Sequence, residues 1–174
     1  MLSGSPRKDG NTDKLASAFI EGAKSAGKTI KVFRVADMEI GGCLGCKVCF
    51  NQDGVCVQKD DMTQIIDALR EADGLIFASP VYFFAMSAQL KLAIDRTYAL
   101  IKEESMIKRT ALLLTCADDP SHKAEAGAVA SYQKTAEFWE WEDAGIIVVP
   151  ELQEKDDIVG RAELEQARKL GQEI

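Results

Sequence analysis

Four cysteines fall within a short stretch, Cys43, Cys46, Cys49 and Cys56, in the spacing C-x2-C-x2-C-x6-C. They are four of the chain's five cysteines, so the clustering demands a chemical reading. Three thiols at successive x2 spacing lie on one tight coil of backbone, which suits a cubane 4Fe-4S cluster. Structural zinc more often uses two separated C-x2-C knuckles. The alternative is four free thiols in a loop, reduced in the cytoplasm and sensitive to oxygen. An odd number of cysteines fits a disulfide framework poorly.

Two further segments carry chemistry. The first runs from Ser3 to Thr12 and leads into a helical pattern. Gly4 and Gly10 let the backbone turn, Ser5, Asn11 and Thr12 supply short polar side chains, and Arg7 and Lys8 add positive charge. A helix N-terminus there offers free N–H groups and a favourable dipole, which makes a phosphate cradle. A polar turn with an ordinary helix cap is the competing reading. Neither the Walker pattern nor G-x-G-x-x-G occurs.

The second segment is Ser79 to Ser87, where Tyr82, Phe83 and Phe84 follow one another between Pro80 and Met86. Exposed aromatics at a strand end suit a conjugated ring with polar edges. Core packing accounts for one or two of the three at most. A phosphate cradle and a ring platform without an adenine signature imply flavin mononucleotide, FMN.

The elements that must position these segments alternate. Lys14 to Lys24 reads as a helix with Leu15, Phe19, Ile20 and Ala23 on its apolar stripe, capped by Asn11 or Thr12 and stopped at Gly27. Residues 29–35 alternate as a strand does. Asp61 to Gln64 resembles a capping box opening a helix that buries Ile65, Ile66 and Leu69. Gly74 to Ser79 and Thr110 to Cys116 are apolar runs of strands covered on both faces. Helices are expected from Ser87 to Ile94, from Lys123 to Asp143 and from Arg161 to Gly171, with a last strand at Gly145 to Val149. This alternation predicts one α/β domain over 1–174, a parallel sheet with helices on both faces. Its ligands bind at the carboxyl ends of the strands.

Composition narrows the classes. A net charge of −7 and a pI near 4.8 argue against nucleic acid and anionic membranes as partners. No apolar run reaches transmembrane length, and the first residues lack the regions of a signal peptide, so the expected location is cytoplasmic. The single histidine, His122, reads as solvated, and no G-x-S-x-G elbow or histidine-containing zinc motif occurs. The acidic run from Glu154 to Asp157 reads as a solvated loop, and Trp139 and Trp141 as packing residues on a helix.

The segments Gly4 to Thr12, Asp60 to Met62, Ser79 to Tyr82 and Lys91 to Arg96, taken with the cysteine loop, resemble the NADPH-dependent FMN reductase family of flavodoxin-like proteins. Within it they are similar to the iron–sulfur flavoprotein branch. The resemblance implies a three-layer flavodoxin-like doubly wound sandwich with a five-stranded parallel sheet of order 2-1-3-4-5. It implies bound FMN, NAD(P)H as co-substrate, a homodimer or larger assembly, and a quinone, flavin or similar acceptor. Ser5, Arg7, Asn11 and Thr12 would hold the phosphate; Pro80, Val81, Tyr82, Phe83 and Phe84 would line the ring. Cys116, with Ala117 and Asp118, would approach the flavin from the next loop. Asp95 and Arg96 match a family motif and read as a structural ion pair. No catalytic acid or base is required, because the cofactor carries the chemistry in a ping-pong exchange.

Two expectations complete the reading. Only Met1 and Leu2 precede the phosphate loop, where a strand normally runs to about five or six residues. The first strand is therefore expected to be truncated, with a few apolar residues belonging upstream; otherwise the sheet is weakened at its centre. The alternative function is an electron carrier, in which FMN and a 4Fe-4S cluster pass single electrons between protein partners such as a ferredoxin.

Overall fold

The computed structural model describes residues 1–174. Six strands appear in the order β1 (Leu2–Ser3), β2 (Phe33–Arg34), β3 (Gly74–Tyr82), β4 (Ala85–Met86), β5 (Arg109–Thr115) and β6 (Glu142–Val149). The helices are α1 (Asn11–Ser25), α2 (Val48–Asn51), α3 (Met62–Glu71), α4 (Ala88–Arg96), α5 (Ala126–Phe138) and α6 (Ala162–Glu173). The parallel sheet runs β2-β1-β3-β5-β6, and β4 folds back antiparallel on the end of β3. With that hairpin set aside, this is the flavodoxin-like order expected from the sequence.

The apolar runs of β3 and β5 have a direct cause. Leu75, Phe77, Leu112 and Leu114 join Ile65, Leu69, Leu90 and Tyr132 in one core layer. Their neighbours Ile76, Ala78, Ala111 and Leu113 join Leu15, Phe19, Ala167 and Leu170 in the other. Each strand residue therefore meets a helix whichever way it points, and alternation disappears from the sequence. Chain order along the sheet brings the ends of β1, β2, β3 and β5 to one edge, where the distinctive loops emerge.

Several local expectations are corrected. β2 is confined to Phe33–Arg34, followed by a 3-10 turn at Val35–Asp37, because only that segment finds β1 beside it. β1 is as short as expected and pairs with both β2 and β3; Phe33 N–H donates to the Met1 carbonyl and Gly4 N–H to that of Ala78. The capping box at Asp61 does not form: its carboxylate accepts from Glu39 N–H, and Asp60 accepts from Met62 N–H instead. α1 begins at Asn11 with Gly10 at its N-cap and no side chain capping it. α5 ends at Phe138, so Trp139 and Trp141 lie beyond the helix, stacked at 5.6 Å. β6 starts at Glu142 because its first residues pair with Arg109 and Thr110 through a register shift.

One buried polar contact ties α5, and with it the loop before it, to the sheet. Tyr132 packs edge-on against Phe77 and donates its hydroxyl to Asp143 Oδ1 at 2.7 Å. Burial and the facing carboxylate push its phenol well above the ordinary range. Tyr132→Phe keeps the ring but loses a hydrogen bond to a charged group, at a cost of about 1.5–3 kcal/mol. The expected result is a Tm several degrees lower in a thermal melt, with the folded spectrum unchanged.

Candidate flavin site at the carboxyl edge of the sheet

The loop after β1 is built around a close approach. A Cβ added at Gly4 would overlap the Ser87 hydroxyl and stand 2.6 Å from the Leu90 Cβ. Glycine there lets the loop rest on the start of α4, where Ser87 Oγ donates to the Gly4 carbonyl at 2.7 Å. The same hydroxyl accepts from Leu90 N–H and so caps α4. Ser5 is buried, and its hydroxyl and carbonyl both take part in holding the turn: Arg7 N–H meets Ser5 Oγ at 3.3 Å, and Arg34 donates to the Ser5 carbonyl. Arg34 also pairs with Asp13 at 2.6 Å, locking the first turn of α1 to β2.

The uncapped N-terminus of α1 then faces this loop with Arg7 and Lys8 exposed beside it. These residues fit a phosphate: free helical N–H groups, a buried serine, and an exposed cation where negative charge would arrive. Thr12 is buried, and its hydroxyl meets that of Thr115 at 2.6 Å, so it braces α1 against the end of β5. Asn11 turns away from the loop. Its side-chain amide donates to the Glu154 carbonyl at 2.8 Å and accepts from Ile158 N–H at 3.4 Å. Lys14 pairs with Asp156, so the acidic 154–157 stretch is docked on α1 rather than simply solvated.

The second loop is a two-residue hairpin. Val81 pairs with Met86 and Tyr82 with Ala85, leaving Phe83 and Phe84 as the turn. Both adopt left-handed backbone, with φ of 45° and 69°. Bulky residues rarely occupy that region, and turns of this kind usually carry Asn-Gly. Phe83 is 96% exposed and Phe84 and Tyr82 are exposed as well, so none of the three aromatics packs into the core. The Phe84 carbonyl is nested against Gly127 of α5, where any Cβ would overlap it.

Across from the hairpin stands the loop after β5. Val81, Phe83, Phe84, Cys116, Ala117, Asp118, Ala124 and Gln153 bound an open cleft of about 320 Å³. The loop is stiffened by its own side chains. Asp118 N–H approaches Cys116 Sγ at 3.5 Å, Asp119 accepts from Ser121 N–H, and His122 Nδ1 lies 2.8 Å from Asp118 Oδ1. The hydrogen bond to Asp118 raises the imidazole, and the imidazole in turn lowers the Asp118 carboxyl. Cleft size and apolar walls suit a flat conjugated ring. Pro80 and Tyr82 sit on β3 beside Val81 and are not among the residues that bound the cleft.

The structure thus brings Val81, Phe83, Phe84 and Cys116 to one cleft, with Tyr82 and Pro80 on the strand beneath, and sets Ser5, Arg7 and Thr12 at the adjoining cradle. Asn11 is the exception, reaching the cradle only through the segment it holds. Sequence reasoning missed Arg34, Gln153 and Thr115. Arg34 and Thr115 close their strands at the ligand edge, a position that could have flagged them; Gln153 carried no signal.

The cysteine loop leaves the same edge after β2. Cys43 and Cys46 are exposed, Cys49 and Cys56 half-buried, and all four are free thiols. Burial first, and then the charges of Cys56, Cys43 and Cys46, push Cys49 up. No three of the chain's Cys, His, Asp or Glu side chains converge on a point that could hold a metal ion. The donors are right for a cluster, but the thiols as placed do not close on one. Asp95 and Arg96 do not pair with each other: Asp95 pairs with Lys91, and Arg96 with Asp60.

Comparison with known proteins agrees with this geometry. An iron–sulfur flavoprotein of Methanocaldococcus jannaschii is 40% identical over 99 residues, covering 57% of this chain and 51% of the relative. One from Methanosarcina thermophila is 39% identical over 107 residues, covering 62% and 56%. The chain spans about half the length of these relatives. Among solved structures, an NAD(P)H:quinone oxidoreductase from Methanothermobacter marburgensis superposes with a TM-score of 0.80 at 19% identity, covering 98% of this chain and 92% of that one. No helix is long and apolar enough to cross a membrane. The NADPH-dependent FMN reductase model matches residues 1–133, and the chain belongs to that family.

Proposed function

We propose that this chain binds FMN and serves as an NAD(P)H-dependent oxidoreductase, passing electrons from a nicotinamide to a quinone, a flavin or a similar small acceptor. The observation that carries the reading is the cleft between the strained Phe83–Phe84 turn and the Cys116–Asp118 loop, adjoining an uncapped helix N-terminus. FMN bound there would supply the hydride and electron chemistry. The chain's own part is to hold and shape. Ser5, Arg7 and the first turn of α1 bind the phosphate, with Thr12 bracing that turn. Pro80 to Phe84 and Cys116 to Asp118 clasp the ring and keep water from its faces, while the open side of the cleft admits nicotinamide and acceptor in turn. No side chain in the cleft is needed as an acid or base. The reading includes a cytoplasmic, homodimeric protein.

Anaerobic titration of the FMN-loaded protein tests it. NADPH or NADH should bleach the visible flavin band, and a quinone should restore it. No bleaching by either nucleotide, with ready reduction by a ferredoxin, would overturn the enzyme reading in favour of an electron carrier. The cysteine loop at the flavin edge, and relatives named as iron–sulfur flavoproteins, favour that second reading. Iron and sulfide analysis of protein purified without oxygen separates the two further.

A further inference from the structure

Arg96 closes α4 and is nearly inaccessible, its side chain 2% exposed. Its guanidinium donates to both carboxylate oxygens of Asp60, at 2.7 and 3.0 Å, and to the Gly41 carbonyl at 2.9 Å. Asp60 in turn accepts from Gly41 N–H at 2.9 Å. Gly41 and Asp60 are the two sides of the neck from which the cysteine loop emerges. The neck is closed again by Gln58, which donates to the Gly42 carbonyl, and by Asp61 and Glu39, which bond to each other in both directions. Burial pushes the Asp60 carboxyl up, but the Arg96 fork and Gly41 N–H outweigh it and leave it below the usual range.

The other end of this helix carries the flavin loops. Ser87, its N-cap, donates to the Gly4 carbonyl of the phosphate loop, and Ser87 N–H is held by Ser79 at the end of β3. α4 therefore spans, over about 13 Å, from the cradle to the neck of the cysteine loop. A bidentate, buried arginine–carboxylate pair is the strongest single tie available at such a point.

We propose that Arg96 is the positioning residue for the cysteine loop, fixing its neck to the far end of the helix on which the phosphate loop rests. The loop's thiols are thereby held at a set separation from the flavin cleft. This rests on the flavin reading only for the purpose of the separation; the tie itself stands without it.

The test is peptide-resolved labelling of Cys43, Cys46, Cys49 and Cys56 by N-ethylmaleimide in the reduced protein, together with amide hydrogen exchange. Arg96→Gln should speed labelling of the half-buried Cys49 and Cys56 by roughly tenfold or more through local opening, leave the already exposed Cys43 and Cys46 little changed, and raise exchange across residues 39–61. Exchange at Ile76–Ala78 and Leu112–Leu114 should stay unchanged. Arg96→Lys should fall between wild type and Gln, since an ammonium keeps the charge but loses the fork. Asp95→Asn, on the same helix but paired only with Lys91, should behave as wild type. Asp60→Asn carries the same test if Arg96→Gln fails to fold. Wild-type labelling rates in Arg96→Gln and Asp60→Asn would overturn the proposal, as would exchange raised uniformly across the sheet. Failure to bind FMN in wild type would count against the functional reading and leave this result interpretable, because labelling is read with or without flavin.

Discussion

Replacing Phe83 and Phe84 by Asn and Gly is expected to raise the melting temperature of the FMN-free protein while weakening FMN binding about tenfold. The turn between β3 and β4 places both residues in left-handed backbone, which costs bulky side chains on the order of 1–3 kcal/mol each. Asn-Gly adopts that turn without strain. Little packing is lost in exchange, because Phe83 is almost wholly exposed and Phe84 largely so. Their mutual edge contact, with centroids 5.4 Å apart, is worth about 1 kcal/mol. Even at the low end of that strain a net gain of about 1 kcal/mol remains, which should appear as a Tm several degrees higher. The two rings wall the cleft, so the same change should remove ring contacts from FMN. Thermal melts and fluorescence titration with FMN read the two effects separately. Unchanged FMN affinity would remove the hairpin from the site, and an unchanged Tm would show that the turn is not strained.

Gly4→Ala is expected to damage the ligand edge severely for a single added methyl. The added carbon meets Ser87 Oγ and Leu90 Cβ, both buried on a helix that cannot slide without disturbing Ser79 and β3. Overpacking of this kind costs about 1–3 kcal/mol. It also breaks the Ser87–Gly4 hydrogen bond that seats the phosphate loop. The urea midpoint should fall, and FMN binding should weaken by about tenfold or more, since a kcal/mol or two of lost cradle geometry converts to that factor. Gly10→Ala is the contrast: its new carbon stands 3.3 Å from the Arg7 Cβ and 3.5 Å from the Arg7 carbonyl oxygen, contacts with an exposed turn residue that a small shift relieves, and a small effect is expected. Equal behaviour of the two variants would refute the close-approach argument.

Much of the fold was legible because period and polarity carried it. The all-apolar runs at Leu75 to Ala78 and Ala111 to Leu114 announced doubly covered strands, and the stripe of Leu15 and Phe19 announced α1. What failed was local chemistry that tertiary partners redirected. Asp61 has the pattern of a capping residue, yet Glu39 N–H across the neck takes its carboxylate. Asn11 reads as a cap or a phosphate ligand, yet its amide satisfies the Glu154 carbonyl and Ile158 N–H. Trp139 and Trp141 continue a helical pattern, but pairing with β5 pulls Glu142 onward into the sheet. Arg96 was matched to its sequence neighbour, although its carboxylate is thirty-six residues away.

The sequence by itself determined the α/β class and which loops meet at the ligand edge, through alternation of strands and helices and through glycine, proline and aromatic residues at positions where few other types serve. The sheet order came with the family that its motifs resemble. The tertiary structure alone decided how those loops are held. The strained hairpin at Phe83, the nest against Gly127, and the tie from Arg96 to the neck of the cysteine loop join residues far apart in the chain. Such contacts have no period and no local motif; they arise only when packing brings a buried charge or a bare backbone within hydrogen-bond reach. The four cysteines stand between the two: their spacing is a property of the sequence, and the buried tie that holds the neck of their loop is a property of the fold.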